Sequence, residues 1–597
     1  MASPTQTPPM SAPASAPASS RSDTGDEDVR SSVPRRACEK CTRSKRKCDK
    51  TSPTCGRCKR LGTRCNYDYD PSRRTSSIDG LQPRDHPRFS RWGGGISSLL
   101  AAVESFGEPQ SPTITQLLAA SRINWRKTCD SAHFPSIHRW FGIFSWQKIA
   151  TTFGVRNDVD ETPFEELRVP SADAALLLVC VWLSTQYLGP HKPGSQIEYS
   201  LYKGVKRTFT LLKCLMQPTL ELMQCGALIT LVEYGHGLFL TAHETLSETA
   251  AMVRIFGLTP GKYVEEEALK PWTAEEEEAS TLWWCLFELD QLIHQDPTAK
   301  HLPFILPAPT GVDLLPPERD GNISCTTTTP PLRLPLSAPV HIMVGDRRRS
   351  AQSAVALHCA LLWESRWTFR DPDGIVRPLP PAYSNTNAGP TSTRDQEQDA
   401  LDASIRAILQ AMVDQTDSWE VFCDCFSMCL SAMYALHVPS LPAIEELIVH
   451  HLLPTPQLPQ LPTTPCTRHA RESKALAALI FSTGFVSDLS RAFNGALEGD
   501  PSSRLAEGAV ATAPAVQTCG VCLEVFLRLG DVVPAAREGF ESVWRSAEWF
   551  TTRWGLGDVV LARVAGVRSR CGGIVVPDLP NVDCGEESEK GLRSRKS

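Results

Sequence analysis

Six cysteines, Cys38, Cys41, Cys48, Cys55, Cys58 and Cys65, fall within 28 residues of a 597-residue chain. Their spacing is C-x2-C-x6-C twice over, with six residues between, so the unit repeats after 17 positions. A segment this short cannot bury a core that would hold it folded, so a bound metal has to supply the folding free energy. Thiolate-bound zinc takes four ligands in a tetrahedron. Six thiolates serve one ion with two left over, or two ions if two sulfurs each touch both. Cys38 and Cys55 open the equivalent halves and are therefore the pair able to bridge two Zn2+. Cys41 and Cys48 then complete one ion, and Cys58 and Cys65 the other.

The residues between the cysteines are cationic. From Pro34 to Cys65 there are twelve Lys or Arg against two acidic residues, Glu39 and Asp49, a side-chain balance of +10. Six thiolates and two divalent ions reduce it to +8, still a large charge on so small a body and the footprint of a polyanion binder. Thr42 to Lys47 is long enough for a short helix between Cys41 and Cys48, and Lys59 to Arg64 occupies the equivalent place in the second half. Phosphates supply most of the affinity in such modules, and a basic helix in the major groove reads guanine through O6 and N7. Three disulfides would leave the basic loading without a role, and a metal store would be cysteine-rich along its whole length.

These residues resemble the fungal binuclear zinc-cluster transcription factors. The cysteine spacing matches throughout, and Pro53, two residues before Cys55, matches a proline that turns the chain between the halves. The resemblance implies a first helix in the major groove, with a lysine near its end on a CGG triplet of double-stranded DNA. By position that lysine is Lys45, with Arg43, Arg46 and Lys47 as neighbours and Lys59 and Arg60 as contacts from the second half. Thr42 and Ser44 stand where the family often has basic residues, which reads as fewer phosphate contacts. The resemblance also implies a nuclear regulator of RNA polymerase II genes, two zinc ions as cofactor, and co-regulators or transcription machinery as partners. A secondary-metabolite gene cluster is one class of target that such regulators serve.

The rest of the chain differs in charge. The whole carries −6, which leaves −16 outside the module, so the body should not bind DNA non-specifically. Fifteen further cysteines are scattered through apolar segments, the usage of a reducing compartment. No apolar run approaches the ~18 residues of a membrane helix; the longest, Ala174 to Leu183, reads as a buried helix. The first residues, MASPTQTPPM, lack the charged start and apolar stretch of a secretion signal.

The expected organisation is a small metal-stapled cluster followed by a large all-α regulatory body, with disordered arms and linkers. Residues 1–33 read as a disordered arm, a tether with activation as the alternative role for its acidic patch Asp23 to Asp28. The zinc cluster occupies 34–67, and 68–111 is a linker. Arg35-Arg36 with Lys45-Arg46-Lys47 would also serve nuclear import. Sustained heptads are missing after the cluster. Ile96, Leu99, Leu100, Val103 and Phe106 make about three amphipathic turns, too short for a coiled coil alone. Dimerisation through this segment is therefore not expected; the helical body is expected to regulate, form a homodimer or receive a signal.

Residues 112–296 read as a helical regulatory domain. The segments SIHRWFGIF, YGHGL and STLWWCLFELDQ resemble the fungal-specific regulatory domain that follows the cluster in many family members. Helices are expected from Ser171 to about Tyr187, over 195–216, from a Thr219 cap, through Leu246, Ala250, Val253 and Ile255 to Gly257, and from a Thr273–Glu276 capping box to about His294. Residues 297–399 form an irregular crossing and linker. Within it Arg347-Arg348-Arg349 reads as a solvated charge run ahead of a helix from about 351. Residues 400–577 are a second helical region and 578–597 a disordered tail. His236, His243 and Glu244 sketch a metal site, though helical-domain histidines are more often structural. Cys519 and Cys522 have redox-motif spacing without the strand that should precede it, and with Cys423, Cys425 and Cys429 they read as buried thiols. Nothing in the chain has the pattern of a nucleophile elbow, a phosphate loop or a paired metal-ligand helix, so binding and not catalysis is expected. The alternative is a helical interaction protein whose zinc module binds no specific DNA sequence.

Overall fold

The structure, a computed structural model, describes residues 37–38, 41, 47–51, 53–62, 65, 136–144, 171–185, 200–318, 333–370, 376–378, 392–415, 423–450, 467–499 and 512–570. The expected arm, the amphipathic stretch at 96–106, the Pro-rich 453–465 and the tail lie outside the described residues. The chain divides into two compact units, Met1–Arg88 and Phe89–Ser597.

In the first unit Cys55 caps a short helix, α1 (Gly56–Arg60). The second unit is helical because its apolar residues recur at helical spacing and its polar residues stand where helices begin. α2 (Ala172–Thr185) and α4 (Leu220–Gly235) are buried nearly all round and pack on each other as the centre of the N-terminal half. α3 (Ser200–Leu215) and α5 (Phe239–Phe256) cover α4. Thr219 caps α4 by accepting from Leu222 N–H at 3.1 Å, and its hydroxyl donates to Asp173 at 2.5 Å. α6 (Ala274–Ile293) opens with the expected capping box: Thr273 Oγ1 accepts from Glu276 N–H, and the Glu276 carboxylate accepts from Thr273 N–H. α5 ends on Gly257 at φ 81°, a left-handed position that a side chain would strain. Ile255, expected on the buried face, is exposed, because the stripe that packs is Leu246, Ala250 and Val253.

α7 (Asp346–Trp367) packs most extensively on α9 (Cys423–His437) and joins the two halves of the body. α8 (Ser392–Gln415) begins inside the stretch read as linker. α10 (Leu441–Val449), α11 (Thr467–Gly499), α12 (Ala513–Leu529), α13 (Ala536–Thr551) and α14 (Gly555–Arg570) complete the C-terminal half. An antiparallel hairpin, β1 (Thr368–Arg370) with β2 (Val376–Pro378), interrupts a body expected to be all-α.

Two stretches, Cys423–Val449 and Ala470–Gly499, reach the length and apolarity of a membrane span, contrary to the expectation that none would. The first is not one helix: a 3-10 turn, Val438–Ser440, separates α9 from α10, and 78% of the apolar window is buried inside the protein. The second buries half its window and turns Lys474, Asp488, Arg491 and Glu498 outward. Both read as core-facing helices.

The solvated run expected at Arg347–Arg349 is overturned. The three arginines form the first turn of α7, and Arg348 and Arg349 are buried. Arg349 donates to the carbonyls of Val340 (3.0 Å) and Ile342 (3.2 Å) and to Gln352 (2.8 Å). Arg348 donates to Pro316 O at 3.1 Å and pairs with Glu318 at 3.3 Å, while Arg347 reaches Gly142 O at 2.8 Å. The irregular crossing before α7 has carbonyls with no ladder to join, and buried backbone acceptors must be paired. A guanidinium offers five donors in one plane, which suits that need.

α14 lies within the helical region expected over 400–577. Gly555, Gly557 and Gly566 break its pattern, yet Leu556, Val560 and Val564 form a buried stripe. A Cβ on Gly557 would lie 3.0 Å from the Thr551 backbone nitrogen, so the glycine permits the tight turn from α13 into α14. A Cβ on Gly235 would lie 2.2 Å from the Trp554 ring, and His236 Nδ1 accepts from Gly555 N–H at 3.1 Å. The YGHGL segment is thus the seat for the Trp554–Gly555 corner.

Arg553, also buried, donates to Ser184 O (2.6 Å) and Thr185 O (2.9 Å) at the C-terminus of α2. It satisfies orphan carbonyls across 368 residues of sequence and sits at the negative end of the helix dipole. Arg553→Ala is expected to lower the stability of the body by about 2–4 kcal/mol, read from denaturant unfolding of the full chain. Arg553→Lys, with three donors and no planar fork, should recover only part of it.

Candidate metal centre and nucleic-acid interface

Within the first unit the six cysteines converge. Cys38, Cys41, Cys55 and Cys58 are fully buried, and Cys48 and Cys65 are partly buried against them. The sulfurs form two groups of four, Cys38–Cys41–Cys48–Cys55 and Cys38–Cys55–Cys58–Cys65, each with all its donor atoms within 4.8 Å of one another. The two groups share Cys38 and Cys55, the pair that opens each repeat. Sγ of Cys38 lies 3.7 Å from Sγ of Cys55 and 3.7 Å from Sγ of Cys58; Cys41 to Cys55 is also 3.7 Å. A tetrahedral ion with Zn–S bonds near 2.3 Å has an S···S edge of about 3.8 Å. The donor set and its spacing therefore fit two thiolate-bound zinc ions. Among the described residues these two groups are the clusters of His, Cys, Asp or Glu able to hold a metal.

The electrostatics of the sulfurs differ. Cys55 is the N-cap of α1, and the Cys58 N–H points at its Sγ from 3.4 Å, holding its thiol down to about 6. Burial pushes Cys41 up to about 12 and Cys38 well above the usual thiol range. Cys65 Sγ also accepts from Cys55 N–H at 3.3 Å. Metal binding displaces protons from thiols that burial holds in the neutral form, and the Cys58 N–H favours the thiolate at Cys55.

Of the residues expected to contact nucleic acid, Lys47, Lys59 and Arg60 are exposed, the latter two on α1. Arg43, Lys45 and Arg46 lie outside the described residues; Cys41, just before them, is helical. Sequence reasoning passed over Asp49. Its carboxylate accepts from Gly56 N–H at 2.9 and 3.1 Å and from Thr51 N–H at 3.4 Å. Hydrogen bonding from the Thr51 side chain, helped by the Thr51 and Gly56 N–H groups, holds it below the usual carboxylate range. The available signal was an acidic residue inside a basic module.

The sketched His236–His243–Glu244 metal site does not form. His236 ends α4 against Trp554, with ring centroids 5.8 Å apart. His243 lies on α5 beside His294 and 3.2 Å from Pro303 O. Cys519 and Cys522 lie one turn apart on α12, both buried, and burial raises both thiols, Cys522 to about 12. Cys425 and Cys429 are buried as well, with Cys429 3.3 Å from Ser353 Oγ.

The geometry defines a binuclear zinc–thiolate module. Residues 36–75 match the family described as the fungal Zn(2)-Cys(6) binuclear cluster domain, so the chain carries that domain and its cysteines hold two zinc ions. The chain is also similar to the aurofusarin biosynthesis regulatory protein aurR1 of Gibberella zeae, with 27% identity over 113 residues, 17% of this chain and 28% of the relative. It is similar to the transcriptional regulator dmxR14 of a Cryptosporiopsis species, with 31% identity over 109 residues, 15% of this chain and 25% of the relative. The similarity thus spans about a quarter of the length of these curated relatives. No solved structure matches the chain.

Shared sulfurs make the two ions interdependent. Cys38→Ala or Cys55→Ala is expected to release both zincs, and Cys65→Ala mainly one, as counted by metal analysis of the purified full-length variants. Acidification should release the ions as the thiolates regain protons, since their affinity falls with pH.

Proposed function

We propose that the chain is a fungal transcription factor that binds CGG-type sites in double-stranded DNA through its zinc-stabilised basic module and acts in the nucleus. The observation that carries this reading is the pair of four-sulfur groups sharing Cys38 and Cys55, set in a segment of charge +10 with Lys47, Lys59 and Arg60 exposed. Metal folds the segment, and the cationic side chains it displays have the charge and length to meet phosphates and base edges. Lys45 is the proposed base-reading residue; Arg43, Arg46, Lys47, Lys59 and Arg60 are the proposed supporting contacts. The helical body, with its acidic balance, is proposed as the part that receives a signal, self-associates or engages co-regulators. Relatives that carry the name of a biosynthesis regulator and a transcriptional regulator support control of a secondary-metabolite gene set.

The test is binding of the zinc-loaded full chain to CGG-containing and scrambled duplexes across a salt series. Clear preference for CGG is expected; equal affinity for both would favour an interaction protein without sequence-specific DNA binding. Lys45→Ala should lose ~1–3 kcal/mol of discrimination. Lys59→Ala should weaken all duplexes alike and lower the salt slope by roughly 1. If both variants behave alike, the assignment of the reading helix to the first half is wrong.

A further inference from the structure

We infer that Asp49 and Gly56 form a latch that sets the second half of the zinc module against the first, and that Asp49 is a positioning residue for sequence discrimination; the inference rests on the DNA-binding reading above. Asp49 directly follows Cys48, the last ligand of the first half, and Gly56 directly follows Cys55, the first ligand of the second. The carboxylate grips Gly56 N–H with both oxygens, at 2.9 and 3.1 Å, at the N-terminus of α1. There its negative charge complements the positive end of the helix. Lys50, the next residue, takes φ 58°, a left-handed conformation that turns the chain sharply between Asp49 and Thr51.

Gly56 is shaped to this contact. A Cβ placed there would lie 2.4 Å from Asp49 Oδ2 and 3.6 Å from its Cγ, so the carboxylate would have to shift away from its present seat. Its φ is not in the left-handed region, so closeness to Asp49, not backbone freedom, is what calls for glycine. The 17-residue repeat sharpens the point. The position that answers to Gly56 in the first half is Glu39, which has a side chain. The missing Cβ belongs to the half that receives Asp49.

The charge argues the same way. A carboxylate in a module that binds a polyanion opposes phosphate affinity through simple repulsion. As one of two acidic residues among twelve cationic ones, Asp49 is unfavourable for DNA affinity unless it does something inside the module. What it does is fix α1, which carries Lys59 and Arg60, to the turn that follows Cys48. The latch lies outside the six sulfurs, so losing it loosens the relation of the halves without removing a ligand.

Opposite signs test it. Full-length zinc-loaded protein is titrated with CGG and scrambled duplexes, alongside metal analysis. Asp49→Ala should keep two zincs, bind scrambled duplex more tightly because a negative charge is gone, and lose roughly fivefold in discrimination, the size of a lost helix cap. Asp49→Asn, neutral but still an acceptor, should gain non-specific affinity yet keep most of the discrimination. Gly56→Ala should reproduce the loss in the wild-type background and have little effect on top of Asp49→Ala, since the clash then has no partner. If Asp49→Ala tightens both duplexes equally, Asp49 is an ordinary surface charge and the latch is refuted. If Gly56→Ala is equally harmful with and without Asp49, the pairing is refuted. Should the wild-type protein itself fail to prefer CGG, the functional reading fails first, and the metal count of the variants shows whether the module is intact.

Discussion

The contact on which the first unit depends is that between Sγ of Cys38 and Sγ of Cys55, 3.7 Å apart and common to both four-sulfur groups. Six donors complete two tetrahedra only by sharing, so neither half has a full ligand set of its own. That makes the two halves one cooperative object despite the near-absence of an apolar core. It also explains why so few residues can hold so many like charges together: the repulsion among cationic side chains is opposed by metal–thiolate bonds, which hydrophobic burial at this size could not match.

The second unit is held by different means. α2 and α4 bury nearly every side chain, and the C-terminal helices close over α9 and α12 with apolar stripes. Where the backbone leaves helix, buried guanidinium groups supply the missing donors: Arg349 to the crossing before α7, and Arg553 to the end of α2. Glu233, buried on α4, accepts from Tyr202 and Lys206, each at 2.7 Å, and from Thr245, and it ties α3 and α5 to the centre. Such groups fix which segments meet, because each charge left without its partners would be strongly unfavourable.

What the sequence disclosed depended on how local the cause was. Cysteine spacing alone identified the shared pair, since coordination number is a counting argument. The caps at Thr219 and Thr273 were readable because capping is set within four residues. Arg347–Arg349 was misread because a charge run looks solvated until one knows that Val340, Ile342 and Pro316 carbonyls need donors. Within the helical region expected over 400–577, the glycines of α14 resemble a loop; the reason for Gly557 is the close approach of Thr551. The Asp49–Gly56 contact joins residues seven apart through a turn, a distance at which residue type gives no pattern.

The most direct test of the account is a count of zinc per full-length chain, followed by stepwise chelation while preference for a CGG duplex is monitored. Two zincs per chain, with the preference vanishing as they leave, is the predicted result. One zinc or three, or a preference that survives complete removal of metal, would contradict it.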